Sequence, residues 1–287
     1  QLVLATGALP IRVPLEGDAA HQVLSVNSLA DFATFHGQLI TDSEAGSGTG
    51  RHVLIMGAGL IGCEFANDLA QAGLRVSVVD PGSRPLAALL PEAASAELRR
   101  ALEALDVTFY FGSTVRSARQ GPSGAASIQV ALSNGQEIPA DCVLSAIGLR
   151  ADTTLAHSAG LTVERGIVVN RQLQTSAPQV YALGDCAQYD HGLTLPYVMP
   201  IMTAARALAA TLAGTPTEVA FPLMPVSIKT PALPLVVASP RPDSTGQWQN
   251  PETGLWQWLD EAGLQRGFVL SGTRTAQRMA QSRRVVL

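Results

Sequence analysis

His52-Val53-Leu54-Ile55-Met56-Gly57-Ala58-Gly59-Leu60-Ile61-Gly62 decides the fold of this chain. A short apolar run, His52–Met56, leads straight into Gly-x-Gly-x-x-Gly, and Leu60–Ala72 follows with apolar residues on one helical face. Each glycine has a separate physical task. Gly57 allows a tight turn, Gly59 lets backbone approach a pyrophosphate, and Gly62 lets the helix pack close to the strand. The helix start would then present unpaired N–H groups and partial positive charge to phosphates. Arg75–Asp80 reads as a second strand, and its Asp80 stands 23 positions after Gly57, near the spacing of a ribose-binding carboxylate. The competing reading is a glycine-rich turn with no ligand. A carboxylate there favours NADH, since it accepts from a ribose 2′-OH and repels a 2′-phosphate. Arg84, in the next loop, could reach such a phosphate.

Working outward, Glu92–Leu105 reads as a helix and Val107–Phe111 as a third strand. This βαβαβ order predicts a parallel sheet with right-handed crossovers. The period then changes to two: Ser127–Leu132 and Glu137–Pro139 flank Ser133-Asn134-Gly135, an Asn-Gly hairpin signal. Cys142–Ala146 is a further buried strand, ending at Gly148. Upstream, Thr41–Gly50 is Gly/Ser-rich and reads as a boundary. Downstream, Gly166–Val169 and Gln179–Ala182 look like strands and Ile201–Ala213 like an Ala-rich helix. From about Ala220 the chain is Pro-rich and strand-like, closing in a polar helix near Thr273–Arg284.

Composition narrows the function class. The 287 residues suggest about two domains. With 47% hydrophobic residues and a mean hydropathy of +0.21, enough apolar surface exists to offset the entropy of ordering, which excludes a disordered chain. Apolar stretches are broken by Gly or a carboxylate before they could span a bilayer. A net charge of −4 gives no global basic field for nucleic acid. Cys63, Cys142 and Cys186 are far apart, so neither a C-x-x-C pair nor a zinc ligand set is present, and no structural metal is expected. Few cysteines and no opening signal-peptide pattern fit a reducing cytoplasm. The chain opens on Gln1–Gly7, a strand running into a Gly turn, and reads as one that lacks its N-terminal part.

At Gly62-Cys63-Glu64-Phe65-Ala66-Asn67-Asp68-Leu69, with Gly57–Ile61 before it, the sequence resembles rubredoxin–NAD reductases, members of the two-dinucleotide-fold flavoprotein reductases. Leu4–Gly7 resembles the strand and turn closing the first flavin-binding segment. Ser145–Arg150 resembles the end of the NAD domain, and Thr175–Cys186 the second flavin motif. Met224–Pro231 is similar to the C-terminal strand that approaches the isoalloxazine. The resemblance implies an α/β fold: a Rossmann-like NAD-binding domain (50–150) inserted in an FAD-binding dinucleotide fold (1–49 and 151–217), plus a small α+β C-terminal domain (218–287). The family's first Gly-x-Gly-x-x-Gly, which holds the ADP half of FAD, would lie upstream of Gln1.

The cofactors implied are FAD and NADH, and the partner is rubredoxin or a similar small acidic carrier. Cofactor-binding residues would be Gly57, Gly59, Gly62, Glu64, Asp80, Gly148, Asp185, Val198 and Lys229, with no catalytic acid, nucleophile or metal ligand. Hydride would pass from nicotinamide C4 to flavin N5, and electrons would leave singly to the rubredoxin iron. By the likeness, Asp185 bonds the ribityl chain; locally it could equally be a turn or cap aspartate. Tyr197-Val198-Met199 would start a helix aimed at the flavin pyrimidine, or else form a buried apolar turn between Pro196 and Pro200. Glu64 would stand beside flavin and nicotinamide, or simply favour the helix dipole.

Lys229 has support of its own. It is the single Lys among 18 Arg, so its site wants a compact ammonium rather than a planar guanidinium. The competing reading is a snorkelling edge-strand lysine. A reductase for a ferredoxin or another acceptor is the near alternative; a disulfide reductase and a non-catalytic NAD-binding module are further ones. Residues 266–287 carry five Arg and no Asp or Glu. Arg274 and Arg278 would share a helix face and dock the carrier, or merely complement their own helix dipole.

Overall fold

The computed structural model describes residues 1–40, 51–121, 128–241 and 244–286; the Thr41–Gly50 boundary and Ser127 of the hairpin lie outside them. The chain divides into two compact units, Gln1–Ile11 with Leu149–Met224, and Arg12–Gly148 with Pro225–Leu287.

In the first unit, Leu2–Leu4 pairs in parallel with Val180–Ala182, and Ala8–Pro10 pairs antiparallel with Leu149–Ala151. Gly7, at φ +73°, turns the chain between its two strands, and its carbonyl accepts from the Asp152 N–H (2.9 Å). Ile167–Val168 pairs with Ala187–Gln188. The helix Val198–Leu212 starts three residues earlier than the sequence suggests, because Pro200 is tolerated in a first turn where no N–H is needed. Leu4, Ile167, Leu173, Tyr181, Ala204 and Leu208 form the core of this unit.

The second unit is built on the predicted βαβαβ. Its parallel sheet runs Thr108–Phe111, Arg75–Asp80, His52–Met56, Cys142–Ser145, each pair in parallel register. His52–Met56 is buried on both faces, as expected of a central parallel strand. An antiparallel sheet of Val115–Gln120, Ile128–Leu132 and Glu137–Ala140 is inserted before the last strand. Gly135, at φ +87°, makes its turn.

Residues 1–49, expected as one segment, are divided between the units: Gln1–Ile11 belongs to the first and Arg12–Ile40 to the second. The physical reason is a helix, Leu29–Ile40, that buries Phe35 against the NAD-type core, edge-on to Phe65 at 5.5 Å. Truncating so buried a ring costs about 3–5 kcal/mol. Upstream of that helix, the Leu24 N–H bonds the Val143 carbonyl and the Ala19 N–H the Ala118 carbonyl.

The C-terminal segment forms a five-stranded antiparallel sheet in the order Val226–Ile228, Leu235–Ala238, Gln265–Ser271, Leu255–Asp260, Gly246–Glu252. Pro251 is accommodated because its strand lies at the edge. The expected polar helix is broken into a 3-10 stretch, Gly272–Gln277, and a short helix, Arg278–Ser282.

His52 shows what burial does to a titratable group in this sheet. Nε2 lies 2.8 Å from Ser77 Oγ, while Nδ1 is buried without a partner. Burial first, and the Arg75 charge second, hold its pKa below 6.5; the Pro139 backbone and then the Asp141 charge oppose them. Folding therefore disfavours the imidazolium, so stability is full above the unfolded pKa and falls as pH drops below about 6.5. Denaturant melts from pH 7.5 to 5 should show that decline, and His52→Gln should flatten it. An unchanged slope in the variant would remove His52 as its source.

Candidate functional site

The glycine turn has the geometry its sequence implies. Gly57, at φ +103°, donates its N–H to the Val79 carbonyl (2.8 Å), and a Cβ there would lie 2.6 Å from the Ala146 oxygen. A Cβ on Gly62 would lie 1.9 Å from the Gly57 oxygen, so only glycine lets the helix Leu60–Gln71 seat on this turn. Gly59 differs: nothing lies within 4 Å of its Cβ position. That open space, at a helix start capped by no side chain, suits a pyrophosphate. Gly148, at φ +108°, ends the run Ser145–Gly148.

Asp80 is more than a ligand candidate. Its Oδ2 accepts from the Ala58 N–H (2.7 Å) and its Oδ1 from the Gly82 N–H (2.6 Å). The carboxylate thus fastens the glycine turn to the end of its strand. Two oxygens offer about four acceptor positions, so ribose hydroxyls can still be received. Arg84 Nη1 donates instead to the Leu90 carbonyl (2.8 Å), which holds the guanidinium within its own loop.

On the same helix, Glu64 Oε1 accepts from the Lys229 backbone N–H (2.7 Å). Sequence reading put these residues in one site but could not see that they are bonded across 165 positions. The Lys229 side chain is exposed, whereas Ile228 and Thr230 on either side are buried. Asn67, one turn along from Glu64, is fully buried, and its Oδ1 accepts from the Ala232 N–H (3.0 Å). Sequence reading missed it; the only signal was an amide on a helix face otherwise lined by Cys63, Ala66 and Leu69.

In the first unit, Asp185 follows Gly184, which sits at φ +80°. Asp185 Oδ1 is buried with no hydrogen-bond partner, and burial raises the carboxyl above the usual carboxylate range. An isolated buried acceptor is costly unless something donates to it. The hydroxyls of a ribityl chain would do so, and the residues present therefore fit a flavin on this side. Tyr197, Val198 and Met199 are exposed at the start of their helix, not folded into a buried turn as the alternative had it. No side chain caps that helix.

Cys63 and Cys142 are buried free thiols, pushed up to about 12 and about 11 mainly by burial, and Cys186 is buried and free as well. Cys63 and Cys142, held protonated in this way, are poor nucleophiles. The single helix face expected to carry Arg274 and Arg278 is corrected. Arg274 pairs with Glu252, Arg266 with Asp260, and Arg278 donates to Ser227 Oγ and the Pro225 carbonyl. Arg274 and Arg278 fall in different elements and serve internal contacts. No group of metal-ligating side chains is present among the described residues.

Residues 1–210 match the family model described as pyridine nucleotide-disulphide oxidoreductase. The chain belongs to the pyridine nucleotide-disulphide oxidoreductase family. Beyond that match, residues 218–285 of this oxidoreductase fit the model described as the rubredoxin binding C-terminal domain. The family member named rubredoxin-NAD(+) reductase from Alcanivorax borkumensis is 45% identical over 284 residues, covering 97% of this chain and 71% of that protein. Its namesake from Acinetobacter baylyi is 43% identical, covering 99% and 72%. Among solved structures, a ferredoxin reductase from Rhodopseudomonas palustris superposes with a TM-score of 0.84 at 24% identity, over 99% of this chain and 71% of that one. This oxidoreductase thus has the flavoprotein-reductase fold that the family resemblance implies.

Proposed function

We propose that this protein passes a hydride from NADH to FAD and then single electrons from the flavin to rubredoxin. One observation carries the reading: a rubredoxin-binding segment, 218–285, follows the oxidoreductase segment 1–210 on one chain, in relatives' order and over nearly its whole length. FAD, when bound, accepts the hydride as an electron pair and releases it as single electrons. The protein's own residues bind and orient. Gly57, Gly59 and Gly62 hold the NADH pyrophosphate against the helix start, and Asp80 receives the adenosine ribose. Gly148, at φ +108°, follows the strand Cys142–Ser145 and completes the NADH side. Asp185 would accept from the ribityl hydroxyls, and the helix beginning at Val198 would favour negative charge on the flavin through its positive end. Lys229 would offer its ammonium to the bound flavin, while Glu64 holds the Lys229 backbone and sets a carboxylate nearby.

In domain terms, 50–150 and 151–217 act as NAD- and FAD-binding parts, with 1–49 in support and 218–287 receiving the carrier. No helix among the described residues is long and apolar enough to cross a membrane. A cytoplasmic setting fits the buried free thiols.

The acceptor is tested by supplying NADH and comparing rubredoxin with a plant-type ferredoxin at equal concentration. Faster rubredoxin reduction supports the reading, and a ferredoxin preference overturns it. Coenzyme choice is tested by Asp80→Asn, which keeps an acceptor for the glycine turn and removes the charge. The NADH-to-NADPH ratio of kcat/KM should narrow about tenfold, or ~1.4 kcal/mol. An unchanged ratio would move the ribose away from Asp80.

A further inference from the structure

Glu64 and Asn67 are three residues apart on the helix Leu60–Gln71, so they share a face. The two N–H groups they receive, from Lys229 and Ala232, are also three apart. Between those donors the chain makes a closed turn: the Leu233 N–H bonds the Thr230 carbonyl (2.9 Å), and Thr230 Oγ1 donates to the Leu233 carbonyl (2.7 Å). Thr230 is fully buried, and Pro231 has no N–H to satisfy. The helix thus holds the Lys229–Ala232 turn at both ends, 165 residues away in sequence. Asn67 Nδ2 donates to Asp68 Oδ1 (3.2 Å), which fixes the amide with its oxygen toward Ala232.

We propose that Asn67 is a positioning residue for Lys229: its buried amide anchors the turn from which the lysine ammonium reaches the flavin, and so sets the flavin midpoint potential. The proposal rests on the functional reading above. Lys229 is exposed and long, so its ammonium is placed by its backbone rather than by packing. The two anchors also differ in kind. Glu64 brings a charge that its surroundings and any bound nicotinamide will feel; Asn67 is neutral, so it can hold the turn without altering the charge around the ring. Burying an amide on an otherwise apolar helix face is costly unless both its ends are bonded, and here they are.

The test uses Asn67→Leu, which removes the acceptor, and Asn67→Asp, which keeps an oxygen there; Asn67→Ala serves where the leucine variant does not fold. Amide hydrogen exchange should be at least tenfold faster at Ala232 in Asn67→Leu and near normal in Asn67→Asp. In the FAD-loaded protein, Asn67→Leu should lower the midpoint potential in the direction of Lys229→Met, and adding it to Lys229→Met should bring no further shift. Unchanged exchange at Ala232, or an undiminished shift in the Lys229→Met background, overturns the proposal. Failure of the functional reading looks different: no flavin is bound, while Ala232 exchange still responds to Asn67→Leu.

Discussion

Gly62→Ala should destabilise the protein by about 3 kcal/mol, whereas Gly59→Ala should leave stability unchanged and lose NADH. Both changes add one methyl group within a single turn. At Gly62 the methyl would lie 1.9 Å from the Gly57 oxygen and 3.0 Å from its carbonyl carbon, both of them backbone that cannot rotate away. The helix must move off the strand, and overpacking of that kind costs on the order of 1–3 kcal/mol. At Gly59 nothing stands within 4 Å. The methyl there meets only what the site is built to receive, and NADH affinity should fall at least tenfold, ~1.4 kcal/mol. Denaturant melts with and without NADH separate the two. Equal stability losses would mean that Gly59 is structural, and undiminished NADH affinity in Gly59→Ala would place the pyrophosphate elsewhere.

Asp185→Asn should move stability and flavin affinity in opposite directions. Without flavin, Asp185 Oδ1 is a buried acceptor lacking a donor, and burial raises its carboxyl above 3.8. A folded pKa above the unfolded one means the protonated form is favoured on folding. That contribution is full below the unfolded pKa and is lost as pH rises through the folded value. At neutral pH the apoprotein therefore carries an uncompensated carboxylate, and Asp185→Asn should raise its melting temperature there, with the gain vanishing near pH 3.8 and below. FAD affinity should drop tenfold or more, since hydrogen bonds to a charged acceptor are the stronger ones. A variant that loses apoprotein stability instead would make Asp185 a turn aspartate.

The parallel core was legible because its signals are local. Strand, Gly turn, helix and acid-tipped strand occur within 29 residues, and the hairpin is announced by Asn134-Gly135. The helix Leu29–Ile40 was equally announced but went unread. Ser28-x-x-Asp31 is a capping signature, and Ser28 Oγ does accept from the Asp31 N–H (3.1 Å). The strand Val115–Gln120 gave no such chance, because a register shift between Val115 and Ser117 breaks the alternation that marks a strand. The net charge of the Arg-rich C-terminus was overcounted for a related reason: Glu252 and Asp260, which pair with Arg274 and Arg266, come from neighbouring strands outside the segment whose charge was counted. The site was legible residue by residue. Its bonding was not, since the joining of Glu64 and Asn67 to the Lys229–Ala232 turn depends on tertiary folding alone.

The central claim is that one chain joins a two-electron donor to a one-electron carrier. Anaerobic titration of the FAD-loaded protein with NADH, in the presence of excess oxidised rubredoxin, tests it most directly. A hydride carries two electrons and the rubredoxin iron takes one, so two rubredoxins should be bleached per NADH consumed, with the flavin spectrum responding to NADH alone when rubredoxin is omitted. NADH that binds without changing the flavin spectrum, or that reduces the flavin while rubredoxin stays oxidised, would contradict the account.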